Sequence, residues 1–221
     1  MQDSQVTIKI IILFLLIADC VSAQQFSDHY YKRKALFEAS KDTKNEIIFL
    51  GNSITEGGQW NLLFPNKNVI NRGISGDVTD GILFRLDEIT TSKPLKIFLL
   101  IGTNDMARGK SISYVIKGTR QIISKIQQQS KNTKIYLQSM LPINPFVGKK
   151  FSGHKNNHQK IIDANKQLQQ LAETLHIPYI DVHKAMRNRQ KYLKSKFTYD
   201  GLHLSEKGYQ KWKRVLKNYV N

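Results

Sequence analysis

Glu46-Ile47-Ile48-Phe49-Leu50 runs into Gly51-Asn52-Ser53-Ile54-Thr55, and Lys96-Ile97-Phe98-Leu99-Leu100-Ile101 runs into Gly102-Thr103-Asn104-Asp105. Each is a short, unbroken apolar run that stops at a glycine. A strand with one wet face would alternate polar and apolar residues; an unbroken run of this length fits a strand buried on both faces. Between the two lie a short strand candidate, Asn68-Val69-Ile70-Asn71, and a helical stretch over about 78–91 whose Ile82, Leu83, Leu86 and Ile89 share one face. Outward from this centre the pattern continues with an amphipathic helix near 111–129, a strand at 133–139, a helix near 156–175, a strand at 177–181 and a last helix near 205–219. Such alternation predicts a three-layer α/β/α fold, a parallel sheet with helices on both faces. Right-handed crossovers then favour a flavodoxin-like strand order. The segment 24–45, with Tyr30, Tyr31, Leu36 and Phe37, is expected to form a helix packed on this body.

The first residues carry a different signal. Lys9 precedes the apolar run Ile10 to Ile17, and Val21-Ser22-Ala23 follows before the chain turns polar. This is the three-part pattern of a secretory signal peptide. Cleavage is expected after Ala23, leaving residues 24–221 as a single exported domain, periplasmic or secreted. The run is about half the roughly 20 residues of a membrane span, so a permanent anchor is the weaker reading. Lipidation at Cys20 is disfavoured because Asp19 precedes it. Cys20 is the chain's one cysteine and would leave with the signal, which excludes thiol nucleophiles, disulfides and thiolate metal sites from the mature protein. The formal charge is +17. Removal of Lys9, Asp3 and Asp19 raises the balance by one. Charge of this size draws polyanions. For an exported protein, acidic glycans or lipid phosphates are expected before nucleic acid, with a merely solvated basic surface as the plain alternative.

In a parallel sheet the carboxyl ends of the strands share one edge, where ligands bind. Past the first strand stands Ser53; past the second, Arg72-Gly73-Ile74-Ser75-Gly76-Asp77; past the third, Asn104. A hydroxyl, a glycine backbone and a carboxamide at one edge suit acyl transfer, in which a serine attacks a carbonyl and the oxyanion formed must meet preorganised donors. The donors would be the backbone N–H groups of Ser53 and Gly73 and the side-chain amide of Asn104, aided by the positive end of a helix beginning at Ser53. A serine needs a base, and the base needs an orienting carboxylate. Tyr199-Asp200-Gly201-Leu202-His203-Leu204-Ser205 supplies both, three residues apart on a turn that Gly201 assists.

Gly51-Asn52-Ser53-Ile54-Thr55, Gly73 within Arg72-Gly73-Ile74-Ser75-Gly76, Gly102-Thr103-Asn104-Asp105 and Asp200-Gly201-Leu202-His203 together resemble the four ordered blocks of the SGNH hydrolases, also called GDSL esterases. The resemblance spans residues 46 to 218. It implies Ser53 as nucleophile, His203 as base, Asp200 as its orienter, Gly73 and Asn104 as oxyanion donors, and no metal or organic cofactor. Asn52 stands where the family often has aspartate, a variant that resembles members acting on acetylated carbohydrates or small acetyl esters. No Gly-x-Ser-x-Gly elbow is present, against an α/β-hydrolase fold. The expected activity is hydrolysis of short carboxylic esters, O-acetyl groups on carbohydrates foremost. The rivals are a lysophospholipase or thioesterase of the same fold, and a catalytically silent glycan-binding module.

Each residue also has a plain reading. Ser53 can merely cap a helix, Gly73 can serve a tight turn, and Asn104 or Asp105 can cap the next helix; Asp105 is read as structural. Trp60 can line a substrate pocket or belong to the core. Arg85 is read as structural, and Tyr209, Trp212, Val215, Leu216 and Tyr219 as a helix face packed on the sheet. His154 and His158 are four apart but lack the glutamate of a zinc motif. The long loop at 142–157 forms either one wall of the site or a mobile excursion.

Overall fold

The computed structural model describes residues 26–221; the expected signal peptide, its cleavage site and Cys20 lie outside the described residues. Helix α1 spans Asp28–Glu38 and is capped by Ser27, whose Oγ accepts the Tyr30 N–H. Strand β1 (Ile47–Gly51) leads into the single-turn helix α2 (Ser53–Glu56), α3 (Trp60–Leu63) and β2 (Val69–Gly73). Next come α4 (Thr79–Phe84), α5 (Leu86–Thr91), β3 (Lys96–Leu100), α6 (Thr103–Ala107), α7 (Ile112–Gln129) and β4 (Lys134–Gln138). The chain then forms α8 (Ser152–Lys155), α9 (His158–Thr174), β5 (Tyr179–Ile180), α10 (Val182–Met186) and α11 (Glu206–Val220).

The strands pair in parallel in the order β2-β1-β3-β4-β5, the flavodoxin-like arrangement expected of the sequence. Every residue of β1 is buried, as are all but the first of β3, because helices cover both faces of these central strands. Gly51 lies level with Gly73 on one side and Leu100 on the other, so the first three strands end together and their following turns share one rim.

Aromatic rings stack along one face of the sheet: Phe49 on Phe98 at 5.1 Å and Phe98 on Tyr136 at 4.7 Å. Trp60 extends this stack, lying 3.8 Å from Phe49 and meeting Trp212 of α11 edge-on at 4.9 Å. Its indole N–H donates to the Thr55 carbonyl at 2.9 Å, and only 1% of the residue is exposed. The pocket role considered for Trp60 is therefore corrected: its ring is spent on the core. Trp212 and Leu216 are buried in the same layer, while Tyr219 stays partly exposed.

The helix expected over 78–91 is broken at Arg85, whose backbone sits at φ −109°, ψ 12°. Ile82, Leu86 and Ile89 stay fully buried across the break, so the apolar face is kept. Arg85 itself turns inward: Nε and Nη2 meet Asp77 Oδ2 at 3.0 and 2.8 Å, and Nη2 reaches the carbonyls of Arg72 at 2.9 Å and Gly51 at 3.3 Å. It thus ties together the ends of β1 and β2. Helix α1 packs as expected through Tyr30, whose hydroxyl donates to the Gly81 carbonyl at 2.7 Å, and through Phe37, beneath the guanidinium groups of Arg33 and Arg72. Tyr31 and Leu36 remain exposed. No helix among the described residues is long and apolar enough to cross a membrane.

Candidate active site

At the shared rim Asn52, not Ser53, caps α2: Asn52 Oδ1 accepts the Ile54 N–H at 3.1 Å. The Ser53 hydroxyl is left to face the solvent side, where it lies 3.0 Å from His203 Nε2. Because α2 is a single turn, it offers oriented N–H groups rather than the helix dipole expected from the sequence.

His203 arrives from the far end of the chain on a turn that Asp200 builds. Asp200 Oδ1 accepts the N–H groups of Leu202 and His203 at 2.9 and 2.7 Å, and Oδ2 faces His203 Nδ1 at 2.7 Å. Gly201 has φ +89°, where a side chain is strained, and a Cβ there would lie 2.3 Å from the Asn144 carbonyl oxygen. A carboxylate only accepts, so Nδ1 carries the imidazole proton and Nε2 accepts from the Ser53 hydroxyl. Burial, the largest influence on Asp200, pushes its carboxyl up. The hydrogen bonds from His203 and the two backbone N–H groups outweigh it and hold the carboxyl below the usual carboxylate range.

A cleft of about 500 Å³ opens in front of the pair, lined by Ser53, His203, Ser75, Gly76, Asn104, Arg108, Phe151 and His154, with Ala107, Gly153 and Leu202. Asn104 is 8% exposed; its Nδ2 donates one hydrogen to the Asp77 carbonyl at 2.8 Å, which leaves the second for the cleft. Its side chain is thus not a helix cap. Asp105, by contrast, accepts the Thr79 N–H and hydroxyl at 3.1 and 2.6 Å and pins the start of α4, the structural role expected for it.

Gly73 requires correction. Its N–H donates to Asn71 Oδ1 at 2.9 Å, and a Cβ on it would lie 2.2 Å from the Glu56 backbone nitrogen, so it is packed against α2 and does not line the cleft. The glycine of this block that does is Gly76, at φ +81°. Among the described residues, the N–H groups of Ser53 and Gly76 have no acceptor. The Gly76 carbonyl accepts from Arg108 Nη2 at 2.6 Å.

The long loop is one wall of the cleft rather than a surface excursion, contributing Phe151, Gly153 and His154. Lys155 Nζ ties it back through the carbonyls of Val147 and Gly148 at 2.8 and 2.6 Å. His154 Nε2 lies 2.9 Å from Asn104 Oδ1, whereas the His158 ring packs on Tyr192 at 4.4 Å. The two histidines do not converge. Among the described residues no group of three or more His, Cys, Asp or Glu side chains is placed to hold a metal. The sequence reading missed both Gly76 and the placement of His154. Gly76 stood within the quoted block, but nothing local distinguishes it from Gly73. His154 is 50 residues from its partner.

A serine hydroxyl within reach of an oriented imidazole, in a cleft also lined by Gly76 and Asn104, is chemically suited to acyl transfer. The model of the GDSL-like Lipase/Acylhydrolase family matches residues 49–211. Platelet-activating factor acetylhydrolase IB subunit alpha1 of Bos taurus is 25% identical over 146 residues, 57% of this chain and 61% of that protein, so the chain spans about three fifths of this relative's length. A solved structure from Streptococcus pneumonia, described as a candidate platelet activating factor, is 29% identical with a TM-score of 0.79, covering 98% of this chain and 99% of that one. An acetylxylan esterase from Geobacillus stearothermophilus, solved as a catalytic mutant, shares the fold at 17% identity and a TM-score of 0.65, over 82% of this chain and 96% of that one. With the family model covering the sheet, Ser53 and the Asp200–His203 turn, the chain belongs to the GDSL-like lipase/acylhydrolase family.

Proposed function

We propose that this protein is an exported serine esterase that hydrolyses short-chain carboxylic esters, with O-acetyl groups on carbohydrates as its substrate class. The observation that carries this reading is the chain of contacts Ser53–His203–Asp200, at 3.0 and 2.7 Å. As Ser53 Oγ attacks the ester carbonyl carbon, His203 Nε2 takes its proton. The oxygen that gains the electron pair is met by the N–H groups of Ser53 and Gly76 and by Asn104 Nδ2. Collapse breaks the ester bond, and the His203 proton goes to the departing alkoxide. A water then gives its proton to His203, attacks the acyl group and releases the carboxylic acid, and Ser53 regains its proton. Asp200 stays ionised throughout, which suits a carboxyl held below its usual range.

Two features favour a short acyl group on a glycan. Ala107, Leu202 and Phe151 are the apolar side chains that line the cleft at Ser53, a surface that suits an acetyl group. Relatives in the family are named acetylhydrolases, and an acetylxylan esterase shares the fold. The silent binding module is disfavoured, because a hydroxyl aligned on an oriented imidazole has no use in mere binding. Export follows from the signal-peptide pattern at residues 1–23, and the charge of +17 supports contact with acidic glycans or lipid phosphates.

The test is hydrolysis of p-nitrophenyl esters from acetate to octanoate at neutral pH, with Ser53→Ala alongside. Acetate turnover is expected to exceed octanoate turnover and to fall by roughly 10⁴-fold or more in Ser53→Ala. Preference for octanoate would support the lysophospholipase or thioesterase reading. Absence of Ser53-dependent turnover on every ester would overturn the esterase assignment.

A further inference from the structure

An oxyanion donor is useful only if its hydrogen points at the developing charge before the reaction begins. A carboxamide can rotate by half a turn and present oxygen instead. Asn104 is held against that error at two points. Its Nδ2 donates to the Asp77 carbonyl at 2.8 Å, and its Oδ1 lies 2.9 Å from His154 Nε2. In the flipped orientation Oδ1 would face the Asp77 carbonyl oxygen, acceptor against acceptor. Since Oδ1 carries no hydrogen, His154 must hold its proton on Nε2. A donor on Oδ1 also draws electron density from the amide and makes the remaining Nδ2–H a stronger donor, as hydrogen bonds in series do.

The loop places this imidazole with some care. Phe151 adopts φ +63°, a left-handed conformation that is costly for an aromatic residue, at the entry to α8. Its ring stands edge-on to His154 at 5.8 Å and to His203 at 5.1 Å, filling the space between them. Burial, followed by the proximity of His203 and Arg108, lowers the affinity of His154 for a second proton. A neutral His154 therefore adds no charge repulsion when His203 becomes protonated during the reaction.

We propose that His154 is a positioning residue for ester cleavage, its Nε2–H locking and polarising the Asn104 carboxamide so that the free Nδ2–H meets the oxyanion. The inference rests on the reading of Asn104 as an oxyanion donor. His154→Met keeps the bulk of the side chain without a donor, and His154→Gln returns an N–H at a similar reach. With p-nitrophenyl acetate, His154→Met is expected to lower kcat by about tenfold, the kinetic equivalent of one hydrogen bond, with KM changed less than about twofold. His154→Gln should recover most of the loss. In an Asn104→Ala background, His154→Met should cost less than about twofold more, because the group it acts through is gone. A rise in KM at unchanged kcat, failure of Gln to rescue, or an undiminished loss in the Asn104→Ala background would overturn the proposal. If Asn104→Ala left kcat intact while Ser53→Ala abolished it, the role of Asn104 would fall instead, and that of His154 with it. A loss of about 100-fold or more in Asn104→Ala beside an inert His154→Met would sink the His154 proposal alone.

Discussion

Asp77–Arg85 and Asp200–His203 are both acid–base pairs joined by short hydrogen bonds, yet they sit in opposite surroundings. The side chains of Asp77 and Arg85 are 0% exposed, and Arg85 also donates to the Gly51 and Arg72 carbonyls where β1 and β2 end. Those of Asp200 and His203 are 14% and 19% exposed, at the rim of the cleft. Arg85 is permanently charged and locked on several sides, so it can hold a turn in place but cannot move a proton. His203 can gain and lose a proton and keeps one nitrogen for Ser53. Full burial with a fixed charge supports the scaffold, and partial exposure with a titratable partner leaves room for chemistry.

Breaking each pair should expose that division. Asp200→Asn is expected to lower kcat by roughly 10⁴-fold, since an amide can favour the wrong imidazole tautomer. Its Oδ1 can still accept the Leu202 and His203 N–H groups, so urea unfolding should shift by less than about 1 kcal/mol. Stability loss in proportion to activity loss would make Asp200 a structural residue like Asp77.

Arg85→Ala should behave in the reverse manner. It removes the cation that opposes the upward push of burial on the Asp77 carboxyl and strips the Gly51 and Arg72 carbonyls of a donor. The expected cost is about 3–5 kcal/mol by urea unfolding. The fraction that remains folded should keep its response to Ser53-directed phosphonates. A cost below about 1 kcal/mol would mean that the pair does not hold the strand ends together.

The smallest effect lies in pH. Because the Asp200 carboxyl is held below its ordinary value of 3.8, its contribution to stability is fully present above the unfolded carboxylate range. That contribution is lost as pH falls through the lowered folded value. The stability difference between wild type and Asp200→Asn should therefore shrink as pH falls below about 4. Urea midpoints measured down to pH 3 check this, and a difference unchanged at pH 3 would contradict the depressed carboxyl.

Much of the fold was legible because it is written in local pattern. Ile47 to Leu50 and Ile97 to Leu100 are unbroken apolar runs, and strands covered on both faces require them. The Asp200-Gly201-Leu202-His203 turn was legible for a similar reason: the carboxylate caps the backbone of the residue it also orients, so one short segment encodes both roles. Trp60 was not decidable locally. An indole beside a nucleophile block suits a pocket or a core equally, and only the stack with Phe49 and Trp212 separates them. The break at Arg85 was likewise invisible, since the inward contacts that Arg85 makes there are with a carboxylate eight residues back and two carbonyls where β1 and β2 end.

The sequence by itself determined the layer architecture and the turn that sets Asp200 beside His203, because periodicity and short-range spacing carry those. The strand order followed from the handedness of the crossovers, and Ser53 as nucleophile with His203 as base from the resemblance to four ordered family blocks. Only the tertiary structure decided between Gly73 and Gly76 and brought His154 to Asn104. Which N–H faces the cleft depends on the path of a turn after its strand, and which imidazole meets a carboxamide depends on a loop folding back across 50 residues. Contacts of that kind leave no period in the chain; they exist only once the sheet has aligned its strand ends.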